Sequence, residues 1–170
     1  MNTIQLYSVL TKIVNKKIYS LGVLACDELP THIVRVPVMV IINTDPTRLP
    51  GKHWLAVFIT ADRHGYFFDS FGNSPTNISF PKTIDVFLNK NCMEISYSTL
   101  QVQDKTSTTC GEHCIFFLCN IQKGISYQKV LNMYSSNHAC NDIMVCSYVK
   151  RIHRGLCRGH IVTCVQYANH

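Results

Sequence analysis

The chain has 170 residues, 46% hydrophobic and 15% charged, which is enough apolar material for one globular domain and too much for an intrinsically disordered one. Sixteen Lys and Arg against ten Asp and Glu leave a net charge of +6, which favours polyanionic partners. No apolar run approaches the ~20 residues that span a bilayer. Met1 to Ile18 carries Gln5, Lys12, Asn15, Lys16 and Lys17 among its apolar residues, unlike a secretory signal, so an intracellular, non-secreted monomer with no membrane partner is expected.

In chain order, residues 3–14 have the spacing of an amphipathic helix. A strand follows over 36–42, and Pro37, which cannot donate to a ladder, assigns it to a sheet edge. His53–Thr60 and 65–69 are two aromatic and β-branched runs around the polar turn Ala61–Gly65, the pattern of an antiparallel hairpin. A helix over about 82–90 begins near Pro81, and a strand covers 93–98. A helix over 110–122 is closed by Gly124, a further helix over 127–134 is capped by Ser126, and the last covers about 141–154. Strands cluster in the middle and helices at both ends. That order predicts α+β, with a small mixed, mainly antiparallel sheet flanked by helices, in a single domain over 1–170. Its core would cover about 21–122, with a helical C-terminal part over about 126–170.

The chemistry concentrates at the helix over 110–122. Apolar residues at 114, 117, 118 and 121 give it one buried face, and Cys110 lies on that face one turn earlier. A first-turn cysteine feels the helix dipole and the unpaired N–H groups, which favour the thiolate and can also stabilise an oxyanion. His53 opens one strand of the hairpin and Asp69 ends the other, so both sit at its open end. A carboxylate there can orient the imidazole and stabilise its protonated form. Gln103, seven residues before Cys110 in a polar loop, carries an NH₂ group able to reach the same oxyanion. Base, orienter, donor and nucleophile together describe a cysteine acyl-transfer site.

Gly51-Lys52-His53-Trp54, then Phe68-Asp69-Ser70-Phe71-Gly72, then Gln103 with Cys110-Gly111 seven residues on, resembles the adenain (adenovirus protease) family, within the wider group of SUMO and ubiquitin-like proteases. Leu21-Gly22-Val23 and Val40-Ile41-Ile42-Asn43-Thr44 extend the resemblance, which runs from about Leu21 to about Cys119. It implies a cysteine endopeptidase of the adenain fold with His53 as general base, Asp69 as orienter, Gln103 as oxyanion donor and Cys110 as nucleophile. Asp69 stands where adenovirus enzymes commonly carry Glu and where the SUMO-protease branch carries Asp, the mark of a diverged viral or mobile-element member.

The resemblance further implies cleavage after small, Gly-Gly-type sequences in viral or mobile-element precursor proteins, in the host nucleus or the virion. The alternatives are processing of ubiquitin-like modifiers, which share the Gly-Gly terminus, and a protease-like binding module without activity, which would be expected to lose a catalytic side chain. No cofactor is required for the chemistry, but the family uses DNA and a viral peptide as activators. Cys92 is the candidate for capturing such a peptide by disulfide exchange, and its place at a strand start suggests exposure. Trp54 is a candidate lid over a substrate channel, its plainer role being a core residue. Lys150, Arg151, Arg154 and Arg158 follow the last acid, Asp142, and form a candidate site for non-specific DNA, the plainer reading being a solvated helix end.

Nine cysteines without a secretory signal argue against a disulfide scaffold. His153, Cys157, His160 and Cys164 are spaced like one helical face, but Gly155 and Gly159 interrupt it, and no metal site is expected there.

Overall fold

The computed structural model describes residues 1–155. Helix α1 (Thr3–Ile13) starts with a capping box: Asn2 Oδ1 accepts from Gln5 N at 2.9 Å, and Asn2 N donates to Gln5 Oε1 at 3.0 Å. Leu6, Val9 and Leu10 form its buried stripe. Five strands follow in spatial order β1-β2-β3-β4-β5: Tyr19–Ala25, Val38–Asn43, Trp54–Ile59, His64–Phe68 and Glu94–Ser96. The central pairs β2–β3 and β3–β4 are antiparallel, while β1–β2 and β4–β5 at the two edges are parallel. The sheet is therefore mixed around an antiparallel centre, and α+β holds.

Every residue of β2 and β3 is buried, because helices cover both faces of the sheet. Met39, Ile41, Trp54, Ala56 and Phe58 face one core, shared with Leu6 of α1, Phe117 of α3 (Cys110–Ile121) and Tyr148 of α5 (His138–His153). Val38, Val40, Ile42, Leu55, Val57 and Ile59 face the other, against Ile84, Phe87 and Leu88 of α2 (Lys82–Asn91). The remaining helix, α4, is the short Tyr127–Leu131.

The structure corrects several expectations. The strand after Pro37 is not an edge: Pro37 precedes β2, and its carbonyl accepts from Tyr19 N at 2.9 Å, so β1 docks on that side. β1 itself escapes pattern reading because Gly22, at φ 88°, interrupts it and the register shifts between Ser20 and Gly22. Helix α3 is buried on all sides rather than one, since it lies between the sheet and helices α1 and α5. Helix α5 starts three residues before the expected 141, because the Asn137 side chain caps it by accepting from Cys140 N at 3.0 Å.

Candidate active site

His53 immediately precedes β3, and Asp69 immediately follows β4. The register Ala56↔Phe68 brings both to the same end of the central hairpin. His53 Nε2 and Asp69 Oδ1 are 2.6 Å apart, and the imidazole leans on Phe71 with ring centroids 5.1 Å apart. Asp69 also accepts from Phe71 N at 3.0 Å, Asn73 N at 3.0 Å and Asn73 Nδ2 at 2.6 Å. That turn needs Gly72. It sits at φ 74°, and a Cβ there would lie 2.6 Å from the Thr99 carbonyl oxygen.

Cys110, at the first position of α3, also acts on the imidazole and favours its protonated form. With Nε2 occupied by Asp69, Nδ1 is the nitrogen left for sulfur. Burial opposes a charged imidazole, but the bond to Asp69 and the influence of Cys110 outweigh it and raise the His53 pKa to about 9. Asp69 moves the other way. Burial pushes its pKa up, but His53, Phe71 and Asn73 together hold it below the ordinary value. Both members are thus kept charged at neutral pH.

Gln103 belongs to the same neighbourhood but is not part of an open polar loop. It is 1% exposed and clamped on both sides. Its Oε1 accepts from Ser70 Oγ at 2.6 Å, and its Nε2 donates to Ser107 O at 3.1 Å and Ser107 Oγ at 3.0 Å. The Ser107 carbonyl can only accept, so it fixes which end of the amide faces the loop before Cys110. Thr109, the N-cap residue of α3, makes no side-chain cap bond. The N–H groups of the first turn therefore lack the acceptor that a Thr at this position ordinarily supplies.

The other candidate residues lie elsewhere. Trp54 is 8% exposed in the α3-side core, with Nε1 donating to Met1 O at 3.2 Å, and it borders a cavity of about 220 Å³ with Thr3, Asn43, Leu49 and Pro50. Cys92 is half-buried rather than exposed: a Cβ on Gly65 would lie 2.6 Å from its sulfur, and burial raises its thiol pKa to about 11. Lys150, Arg151 and Arg154 are exposed at the C-terminal end of α5, whereas Arg158 lies outside the described residues, as do Cys157, His160 and Cys164. Six cysteines are free among the described residues, and Cys140 is disulfide-bonded. No group of three His, Cys, Asp or Glu that could hold a metal occurs among the described residues, and none of their helices is long and apolar enough to cross a membrane.

Residue patterns missed Asn73, Ser70, Ser107 and the buried pair His113–Asp142. A signal existed for Asn73: Asp-x-x-Gly-Asn marks a turn in which backbone N–H groups fold onto the aspartate. No comparable signal exists for His113, which reads as one more residue of the helix.

The profile of the adenovirus endoprotease family matches residues 21–153. Over 89 residues the chain is 35% identical to the protease of Porcine adenovirus A serotype 3, covering 46% of this chain and 44% of that one. The match thus spans less than half the length of this curated relative. In three dimensions the chain is similar to the ASFV pS273R protease, with a TM-score of 0.57 and 18% identity over 94% of this chain and 68% of that one. It is also similar to the central domain of the uncharacterized Lpg1148 protein from Legionella pneumophila, with a TM-score of 0.54 and 13% identity over 92% and 97% of the two chains. At such identities the structural likeness speaks for the fold alone.

Proposed function

The chain belongs to the adenovirus endoprotease family, and from that premise we propose that it is a cysteine endopeptidase acting through Cys110, His53 and Asp69. The observation that carries this reading is the 2.6 Å His53–Asp69 bond, on an imidazole that Cys110 at the start of α3 also helps to keep protonated. The Cys110 thiolate attacks the scissile carbonyl carbon, and the Cys110 backbone N–H stabilises the oxyanion, joined by the Gln103 amide once Nε2 gives up one of its two bonds to Ser107. Collapse of the tetrahedral intermediate breaks the C–N bond, and the leaving amine takes the proton held on His53. Water then attacks the thioester, delivering its proton back to the imidazole, and the acid leaves with the thiolate restored.

The substrates are precursor polypeptides cut after small, Gly-Gly-type sequences. A library of Gly-Gly peptides, beside intact ubiquitin-like precursors, tests this reading. Cleavage of the peptides by the wild-type chain and none by Cys110→Ala is expected, whereas equal cleavage by both proteins would overturn the assignment.

Non-specific duplex DNA is the proposed activator, bound at the basic end of α5, where Lys150 and Arg151 lie in the last turn. Fluorescence anisotropy at low salt should give a log–log salt slope of about −0.9 per phosphate contact. Replacing Lys150, Arg151, Arg154 and Arg158 by Gln should flatten it, and absence of binding at low salt would reduce these charges to a solvated helix end. A peptide activator at Cys92 is the weaker part of the proposal, since a thiol raised to about 11 is slow to exchange.

A further inference from the structure

The second buried His–Asp pair is not used by this chemistry. Asp142, on α5, is 8% exposed, and its Oδ1 lies 2.8 Å from His113 Nε2, one turn beyond Cys110 on α3. The same Oδ1 accepts from Thr109 Oγ1 at 2.8 Å, and Oδ2 accepts from Asp104 N at 3.3 Å. Its neighbour Asn141 donates from Nδ2 to Val102 O at 2.9 Å. Two consecutive residues of α5 therefore grip the strip that carries Gln103, on both sides of that residue and again just before Cys110.

The hydroxyls between these anchors form a relay. Ser107 Oγ and Thr109 Oγ1 are 3.0 Å apart, and Gln103 Nε2 donates to Ser107 Oγ at 3.0 Å. A carboxylate can only accept, so the hydroxyls converge on Asp142: Thr109 donates to it, and Ser107 lies against both Thr109 and the carboxylate. Two consequences follow at the site of attack. The Thr109 hydroxyl is drawn off the helix N-terminus, which leaves the first-turn N–H groups uncapped beside the nucleophile. The loop is also held where the Ser107 carbonyl and the Ser70 hydroxyl fix the Gln103 amide with NH₂, and not oxygen, on the side that leads to Cys110.

We propose that Asp142 is a positioning residue for the oxyanion donors: it keeps the start of α3 uncapped by drawing off the Thr109 hydroxyl, and it holds in place the loop that carries Gln103. This rests on the cysteine-peptidase reading above and adds to it a residue that touches neither the substrate nor the reacting atoms. His113 binds the same Oδ1 as Thr109 and keeps Asp142 from turning away from the loop.

The test separates oxyanion stabilisation from nucleophile activation. Alkylation of Cys110 by iodoacetamide displaces iodide at a saturated carbon and builds no oxyanion, so its rate reads the thiolate–imidazolium pair alone. Peptide cleavage needs both. Asp142→Asn should lower kcat about 10- to 100-fold, short of the 10²–10³ for outright loss of a donor. KM and the alkylation rate should stay within about threefold on the same grounds, since the ground state and the thiolate are untouched. Thr109→Val removes the loop's hydroxyl anchor on Asp142 without altering α5 and should lower kcat in the same direction, whereas Thr109→Ser, which keeps the hydroxyl, should restore most of it. These variants also serve if Asp142→Asn does not fold.

Unchanged kcat in Asp142→Asn or Thr109→Val, or kcat and alkylation falling together, would overturn the proposal. If the wild-type chain cleaves no peptide through Cys110, the peptidase reading fails first and takes this one with it.

Discussion

The molecule holds two histidine–aspartate pairs of nearly the same geometry, at 2.6 Å for His53–Asp69 and 2.8 Å for His113–Asp142, and it charges them differently. His53 is raised to about 9, whereas His113 is lowered by burial despite its carboxylate. The His53 side chain keeps 12% of its surface and the His113 side chain none. His53 has a second partner that can carry negative charge, the Cys110 thiol. His113 has the Tyr134 hydroxyl at 3.4 Å, which burial pushes far from ionising, and the charge of Glu112, and neither offsets its complete burial. A carboxylate neighbour alone does not make an imidazolium. Partial solvation, with Cys110 as a further influence, tips the balance against desolvation at His53. The first pair suits proton transfer, and the second suits holding parts in place.

Removal of the proposed nucleophile breaks this contrast most severely. Cys110→Ala should abolish peptide turnover, a loss on the order of 10⁴ or more, while thermal unfolding changes little, because only a sulfur at a helix start is deleted. Survival of turnover would place the chemistry at another cysteine. Asp69→Asn comes next, with kcat expected to fall about 10²-fold or more and KM to move far less, as befits a group acting on the imidazolium. The alkaline limb of kcat/KM, expected near pH 9 where His53 loses its proton, should shift to lower pH in this variant, because the bond and charge that raise the pKa are gone. An unmoved limb would show that Asp69 does not govern the imidazole.

Smaller effects sharpen the comparison through stability. Gly72→Ala forces a side chain into a left-handed turn and against the Thr99 carbonyl, so a loss of about 1–3 kcal/mol is expected in chemical denaturation, together with lower kcat as Asp69 loosens. The smallest effect, and the most direct, is the opposite pH signature of the two histidines. A raised pKa gives stability that is complete below the ordinary 6.5 and is lost as pH rises through about 9, which is the His53 case. A lowered pKa makes the unfolded chain bind the proton more readily, so the His113 pair costs stability as pH falls below 6.5. In melting curves taken across pH, His53→Gln should flatten the alkaline slope and His113→Gln the acid slope. Identical slopes in both variants would erase the distinction between the pairs.

Much of this was legible in the residues. Local periodicity and turn chemistry placed the central hairpin and the helix at Cys110, because alternation and 3.6-residue spacing are properties of short segments. They also placed His53, Asp69 and Cys110 at element ends, where side chains converge. The strand Tyr19–Ala25 was not legible, since Gly22 hides its pattern and its partner β2 lies beyond an intervening loop. The interior position of β2 was misjudged for the same reason: Pro37 forbids a donor at one residue but says nothing about the next six. The half-burial of Cys92 also depends on a partner, Gly65, that is remote in the chain.

What the sequence by itself determined is the inventory and its order: a histidine before a strand, an aspartate before a glycine turn, a cysteine at a helix start. Only the tertiary structure decided which of two histidines carries charge, and that Asp142, 32 positions after Cys110, reaches back to the loop that carries Gln103. The reason is physical. Propensity and periodicity act over a few residues, whereas desolvation and hydrogen-bond partnership depend on everything packed around a group, and that packing brings together residues from both ends of the chain.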